Sequence, residues 1–439
     1  KKGARSDPGN YRPVALTCIA CKLMERILRD VVSSHLEDNG LISKHQHGFR
    51  SGRSTQTALL ECLNDWARCL DRGHSVDVVY FDVSKAFDTV VHSKLLDKLN
   101  LYGVSGPIFC WIRDFLSDRR QFVSLSNARS SFYAVISGVP QGSVLGPLLF
   151  SVFINDIVHC TRHSNIKVFA DDTKLYGAAD SVDDYNRLLC DVRAILDWMQ
   201  RNQLNAAAGK CVVLQLGKNN PRRSYTCGSL QITSVENVRD LGLLLTNDLK
   251  PFKHCAAASA KAFRKCALLF KGFSCRDPAF LKAAFCIYVR PIVEYASSCW
   301  SPTFVKDIRL VESVQRRFTK RIPGLEALPY AQRLARLKME SLELRRLKAD
   351  LCQVFKIVHG YDRLNFCDFF TFATGVTRGH DFKLSVPKFS SVLLRSSFSH
   401  RVVNVWNSLS RDTVSAVNLA GFKRRLNSTY LDEFLANHY

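Results

Sequence analysis

The chain has 439 residues, 46% of them apolar and 23% charged, which gives room for two or three domains with buried cores and excludes a disordered or collagen-like polymer. No apolar run approaches the roughly 18–20 residues of a membrane-spanning helix, and KKGARSDPGN carries neither an initiator Met nor an apolar signal segment, so the chain reads as part of a longer protein with no membrane partner. The charge is +23, and residues 251–439 hold 31 basic against 14 acidic residues, a balance that favours phosphate polyanions through counterion release.

Residues 1–75 read as mostly helical. Leu23, Ile27 and Val31 follow a helical period and Asn39-Gly40 ends it. A polar loop rich in Gly, His and Arg spans 41–55, and the next helix is predicted over Gln56 to Leu70. Val76 to Val83 is β-branched and aromatic, a buried strand. Helices are predicted over 95–101 and 108–116, strands over 121–125 and 132–136, and an apolar helix after the Gly/Pro opening at 142. Ile166 to Ala170 and Thr173 to Tyr176 read as a hairpin with Asp171-Asp172 at its turn. An amphipathic helix over 182–199, a strand over 211–216 and a last strand over 238–245 complete this part. From Phe252 the chain is helical and basic. Within it, 308–322 sets Leu310, Val314 and Phe318 near one face and Arg316, Arg317, Lys320 and Arg321 elsewhere. The 16 cysteines are scattered. Only Cys18 and Cys21 form a CxxC, with no second pair or His at zinc-ligand spacing, as suits a reduced, intracellular chain.

Asp82 closes a buried strand, and Asp171 and Asp172 occupy a tight turn. A lone strand-end Asp is ordinarily a turn or cap residue. Converging carboxylates repel one another unless a cation is present, and hard oxygen donors suit Mg²⁺. Two such ions would clamp the attacking and leaving oxygens of a phosphoryl transfer. Between these acids lies Gly138-Val139-Pro140-Gln141-Gly142-Ser143, whose glycines allow close backbone approach and whose Gln141 offers both donor and acceptor at a helix entrance.

The order FDVSKAFD, SGVPQGS, FADD resembles the reverse transcriptases of non-LTR retrotransposons and of group II introns. Further segments resemble the same family in the same order: Tyr11-Arg12-Pro13 its fingers opening, Gly48-Phe49-Arg50-Ser51-Gly52-Arg53-Ser54-Thr55 its GFRxGRST segment, 198–210 its Lys-bearing motif, and Leu241-Gly242 its primer-grip strand. The tail segments VRPIVEYASSCWSP, VQRRFTKRIPGL and RVVNVWNSL resemble the post-polymerase region of Jockey-like and chicken-repeat-type LINE elements. The maturase and endonuclease domains of intron proteins have no counterpart in this tail.

The resemblance implies an α+β right-hand polymerase with an antiparallel palm sheet and a basic helical C-terminal region. Fingers are expected over 1–75, palm with finger insertions over 76–245, a helical thumb over 246–325 and the C-terminal region over 326–439. It implies an RNA-directed DNA polymerase, with RNA template, DNA primer or target DNA and dNTPs as partners. Two Mg²⁺ ions, with Mn²⁺ able to substitute, would be held by Asp82, Asp171 and Asp172. Phe87 matches the sugar gate that favours dNTPs. Gln141 would pack on the incoming nucleotide, and Gly142 would let the template pass. Lys210 matches a proton donor to pyrophosphate, although Ala207 stands where the family has Asn. Arg12, Arg50 and Arg53 are candidate triphosphate or template contacts. The endonuclease of such elements would lie ahead of Lys1. The alternative is a catalytically inactive remnant that only binds nucleic acid.

Overall fold

The computed structural model describes residues 4, 6–7, 10–11, 13–125, 127–207, 209–228, 230–374 and 379–436. The chain opens with helices α1 (Ile19–Asp38) and α2 (Thr55–Asp71), then strand β1 (Val76–Phe81). Helices α3 (His92–Leu101) and α4 (Gly106–Leu116) follow, then four short strands, β2 (Arg120–Gln121), β3 (Ser124–Leu125), β4 (Ala128–Arg129) and β5 (Tyr133–Ala134). Next come α5 (Gly146–Ile154), β6 (Asn165–Phe169), β7 (Asp172–Ala178), α6 (Val182–Arg201) and β8 (Val212–Leu216). Strands β9 (Tyr225–Cys227), β10 (Leu230–Val235), β11 (Asn237–Asp240) and β12 (Leu243–Thr246) precede an all-helical stretch. That stretch holds α7 (Phe252–Gly272), α8 (Pro278–Tyr288), α9 (Arg290–Glu294), α10 (Val305–Lys320), α11 (Tyr330–Leu337) and α12 (Leu342–Val358). It ends in α13 (Phe366–Phe369), α14 (Val392–Ser396), α15 (Phe398–Arg401), α16 (Val403–Ser408), α17 (Arg411–Val414) and α18 (Leu419–Asn427).

Two units emerge. The first comprises Lys1–Ser54, Asp77–Val213 and Pro221–Val235; the second Thr55–Val76, Leu214–Asn220 and Glu236–Tyr439. A six-stranded sheet runs β6-β7-β1-β8-β10-β9. β6 and β7 form an antiparallel hairpin with Phe169 opposite Asp172. β8 runs antiparallel to β1: Cys211, just before it, meets the Asp82 backbone, and Gly217, just after it, lies against Ser75. The core of the first unit joins Val79 and Phe81 of β1 to Leu149, Phe150 and Phe153 of α5 and to Val192 and Ile195 of α6. α5 is buried almost all round, as its almost wholly apolar sequence requires. α6 opens with a capping box in which Ser181 and Asp184 satisfy each other's backbone N–H.

α1 buries a different face from the one its apolar period suggests. Leu28, Val32 and Leu36 enter the core together with the carboxylate of Glu25, and Leu23, Ile27 and Val31 are exposed. The strands expected over 121–125 and 132–136 shrink to two-residue pairs, β2 with β5 and β3 with β4, exposed throughout. The strand expected over 238–245 is the β11–β12 hairpin, turned at Leu241 (φ 43°) and Gly242 (φ 90°).

The second unit is built on aromatic packing. Trp406, Phe355 and Phe422 are fully buried, and the Phe355 and Phe422 rings stack at 4.4 Å. α2 joins this core through Leu60 and two polar anchors. Asn64 donates to the Asp368 carbonyl at 2.8 Å and accepts from Ser399, and the Asp71 carboxylate accepts the Ser390 and Ser391 N–H groups. Those hydrogen bonds hold the Asp71 carboxyl below its usual range against the opposing effect of burial. α10 buries Ile308, Val311, Val314 and Phe318 and leaves Arg316, Arg317 and Lys320 exposed, while Leu310, expected on the packed face with Val314 and Phe318, is only half-buried. Among the described residues no helix is long and apolar enough to cross a membrane.

Candidate active site

β1 delivers Asp82 at its exposed end, and the chain then tightens. Lys85 takes a left-handed conformation (φ 50°), and a 3₁₀ turn over Ala86–Asp88 follows. The carboxylate of Asp82 is about half exposed, and the Lys210 Nζ lies 3.5 Å from its Oδ1. Lys210 reaches it because the 205–207 segment pairs with the end of β1. Ala206 bridges Val83, the Ala207 N–H donates to the Asp82 carbonyl at 2.8 Å, and the Ser84 N–H donates to the Asn205 carbonyl at 3.0 Å.

Phe87 sits on the 3₁₀ turn. Its ring stacks on Phe150 at 4.2 Å and meets the edge of Phe49 at 6.4 Å, so its position is set by packing from two elements. The 137–142 loop is stitched to this turn. The Val139 N–H donates to the Phe87 carbonyl and the Gly138 N–H to the Val90 carbonyl, both at 2.8 Å. Ser137 Oγ donates to the Asp88 carbonyl, and His92 Nε2 to the Gly138 carbonyl. Gln141 Nε2 donates to Asp88 Oδ1 at 2.7 Å. Gly138 (φ 87°) lies so near Asp88 that an added Cβ would stand 2.7 Å from its carbonyl oxygen. Gly142 (φ 98°) is approached by Val14 and Ala15, and the Ala15 N–H donates to the Gln141 carbonyl at 2.7 Å. Close backbone packing is therefore why both positions carry glycine.

Asp171 and Asp172 stand at the β6–β7 turn. Ala170 there adopts φ 56°, a strained conformation for a residue with a Cβ. Gln46 holds it: the buried Gln46 Oε1 accepts the N–H groups of both Gly48 and Ala170. The same segment pairs with the edge of β6, the His47 N–H donating to the Val168 carbonyl and the Val168 N–H to the His45 carbonyl. Gly48 is pressed against this turn, and an added Cβ would stand 2.5 Å from the Ala170 nitrogen.

The sheet thus sets the strand that leads into Asp82 beside the strand that begins at Asp172. Among the described residues no three His, Cys, Asp or Glu side chains stand together as a ready-made metal cage. Asp82, Asp171 and Asp172 therefore do not form one as they stand. Mg²⁺ is ordinarily held by one or two carboxylates, with waters and substrate phosphates completing the shell, and Asp82, Asp171 and Asp172 offer hard oxygens of this kind.

The candidate arginines fare differently. Arg12 lies outside the described residues. Arg50 is nearly buried, with Nε and Nη2 donating to the two oxygens of Glu37 at 2.8 and 2.7 Å and Nη1 donating to the Ser43 carbonyl. Its guanidinium is committed to the fold of the 37–50 loop. Arg53 is half-buried.

Two side chains that the sequence reading left without a role organise the site. Gln46 is one. Glu25 is the other: fully buried, it accepts the N–H groups of Val144 and Leu145 at 2.6 and 2.9 Å, at the entrance of α5 where helix charge favours an anion. A carboxylate set among the apolar residues of α1 is the one signal that pointed to it.

The model of the reverse transcriptase (RNA-dependent DNA polymerase) family matches residues 1–245. The chain is 26% identical over 336 residues to a probable RNA-directed DNA polymerase from transposon X-element of Drosophila melanogaster, a match that covers 73% of this chain and 36% of that protein. It is 29% identical over 219 residues to the RNA-directed DNA polymerase from mobile element jockey of Drosophila funebris, covering 47% of this chain and 23% of that one. The chain thus spans about a third or less of the length of these curated relatives. A solved telomerase from Candida tropicalis is similar over 76% of this chain and 54% of its own, at 13% identity and a TM-score of 0.39, a superposition too loose to transfer any residue role. With more than half of its length matched by that family model, and with transposon polymerases as its relatives, the chain belongs to the reverse transcriptase (RNA-dependent DNA polymerase) family, on the non-LTR retrotransposon side.

Proposed function

We propose that this chain is the polymerase portion of a non-LTR retrotransposon protein and extends a DNA primer on an RNA template with dNTPs. The observation that carries the reading is that the sheet sets β1 next to β7 while the Gly138–Ser143 loop is tied to the turn that follows Asp82. β1 leads into Asp82, β7 begins at Asp172 beside Asp171, and the loop is laced to Phe87 and Asp88. In a right-hand arrangement, residues 1–75 would serve as fingers, 76–245 as palm with finger insertions, 246–325 as thumb and 326–439 as a basic C-terminal region. In the parent element the reaction would be target-primed copying of element RNA.

Asp82, Asp171 and Asp172 would hold Mg²⁺, or Mn²⁺ in its place. When bound, the metal supplies positive charge to the primer 3′-hydroxyl and to the leaving pyrophosphate. The chain's own groups do the rest. Lys210, 3.5 Å from Asp82, keeps an ammonium at the carboxylate end of β1, where it can give a proton to pyrophosphate. Phe87, fixed between Phe150 and Phe49, presents a rigid ring against which a ribose 2′-hydroxyl would clash. Gln141, tied to Asp88, holds the loop surface on which a nucleotide would rest. Arg50, through Glu37, acts as a positioning residue for the segment that latches the catalytic turn.

Primer extension on a poly(rA)/oligo(dT) hybrid with Mg²⁺ and dTTP tests the proposal, with an Asp171→Ala/Asp172→Ala variant beside the parent chain. Extension lost in the variant, with hybrid binding retained, is the expected result. Extension that survives in the variant overturns the assignment of the carboxylates. Salt-sensitive binding with no extension by the parent chain leaves the nucleic-acid-binding remnant instead.

A further inference from the structure

The cleft between α12 and α18, in the second unit, has no part in the chemistry above. It is an open depression of about 410 Å³, far larger than the ~30 Å³ share of one water. Four cations line it, Arg345, Lys348 and Lys356 from the α12 side and Lys423 from α18, against the single carboxylate of Glu340.

These cations are not equally available. Arg345 is bound by Glu294 through two nitrogens and lies 3.6 Å from Glu340. Lys348 pairs with Glu340 and donates to Asn427. Lys356 has only a distant carboxylate, Asp362 at 3.9 Å, and that group also receives a hydrogen bond from Gln353 at 2.6 Å. Lys423 is exposed and has no carboxylate partner among the described residues. Two ammonium groups therefore face the cleft with little local compensation.

Their convergence is legible at Cys352 on the cleft wall. Burial pushes its thiol up, and Lys423, Lys356 and Lys348 all act on it in the opposite sense. Arg424, beside Lys423, is exposed and continues the positive charge along α18. The surrounding chain does not neutralise this field, since residues 251–439 carry 31 basic and 14 acidic residues.

We infer that the α12–α18 cleft seats backbone phosphates of a nucleic-acid strand, with Lys356 and Lys423 as the contacting cations. The inference rests on the nucleic-acid substrate proposed above and not on catalysis. An open cationic cleft suits a strand that passes across it, and its lining contains no aromatic side chain that would stack a base and give sequence preference. The C-terminal region would then hold the strand by charge, independent of sequence.

The test is the affinity of the whole 439-residue chain for an RNA–DNA hybrid, read by fluorescence anisotropy over a series of KCl concentrations. Lys356→Glu/Lys423→Glu should bind about tenfold more weakly at low salt, and the log–log salt slope should fall by about two, one for each lost phosphate contact. Lys356→Ala/Lys423→Ala, which introduces no new charge, should lower the slope by the same amount. Lys356→Arg/Lys423→Arg should restore it. Lys218→Glu/Lys388→Glu makes the same net charge change outside the cleft and should leave the slope near that of the parent chain. Equal slopes for the cleft alanine variant and the parent chain overturn the inference, as does an equal loss in the cleft and control reversals. The catalytic proposal fails separately: a chain that never extends a primer but shows this cleft-dependent slope keeps the inference and loses the polymerase.

Discussion

Gln141 Nε2 donates to Asp88 Oδ1 at 2.7 Å, joining two residues 53 positions apart in the sequence. Among the described residues this bond is one of five that tie the 137–142 loop to the stretch from Phe87 to His92. Because one partner is a carboxylate and both side chains are only half-buried, the contact is worth about 1.5 kcal/mol. Gln141→Ala and Asp88→Ala should each lower kcat/KM for dTTP, and the double variant should fall short of their sum by about that amount. A double-mutant cycle on primer extension measures it; full additivity would show that the bond does not support the site.

Glu25 should matter more for folding than for chemistry. Its carboxylate satisfies two backbone N–H groups inside the core. Glu25→Ala leaves both unpaired and should lower stability by about 3 kcal/mol, from the usual cost of buried unsatisfied donors. Urea unfolding followed by tryptophan fluorescence reads the loss. Glu25→Gln keeps one acceptor oxygen and should lose less.

His254 gives the β11–β12 side of the second unit a dependence on pH. Burial, with a smaller contribution from Arg239, brings its pKa down to about 4, and its Nδ1 accepts the Leu244 N–H at 3.2 Å, which needs the neutral ring. In the unfolded chain the imidazole protonates near its ordinary 6.5. Below that value the unfolded state therefore binds more protons than the folded one. The stabilisation is complete above about pH 6.5 and is lost as the pH falls toward 4. Between pH 7 and pH 5 this group alone should remove about 2 kcal/mol. The shift in urea midpoint over that interval should shrink in His254→Asn, which retains an acceptor and cannot titrate.

Arg346 is 1% exposed, and none of its three guanidinium nitrogens has a hydrogen-bond partner among the described residues. A buried charge without a partner is costly, and an apolar side chain of similar volume removes that cost. Arg346→Met should raise the thermal midpoint. A lowered midpoint would mean that the guanidinium is compensated within the folded protein.

The carboxylate-bearing strands were readable in the sequence because each is a short apolar run with a charged end. Val76 to Phe81 and the 165–178 hairpin fall within a residue or two of their expected bounds. α1 was misread because its apolar residues make two overlapping helical stripes, and packing selected Leu28, Val32 and Leu36 over Leu23, Ile27 and Val31. The supports of the site were hidden for a different reason. Glu25 meets Val144 across 119 positions and Gln46 meets Ala170 across 124, and no local pattern encodes a partner at such a distance. Arg50 shows the converse: its motif was legible, but its bidentate partner Glu37 was not.

The pairing of residues 45–48 with β6 also bears on solubility. β6 is the outermost strand at its end of the sheet, and an uncovered edge is a template for strands of other molecules. His45, Gln46 and His47 occupy that edge through two backbone hydrogen bonds and the parallel bridge from Gln46 to Val168. A shortened version beginning after residue 54 would keep all three candidate carboxylates, yet it would bare the β6 edge. Such a trimmed protein would self-associate through that strand, so the GFRxGRST segment and the residues just before it act as the sheet's built-in guard against aggregation.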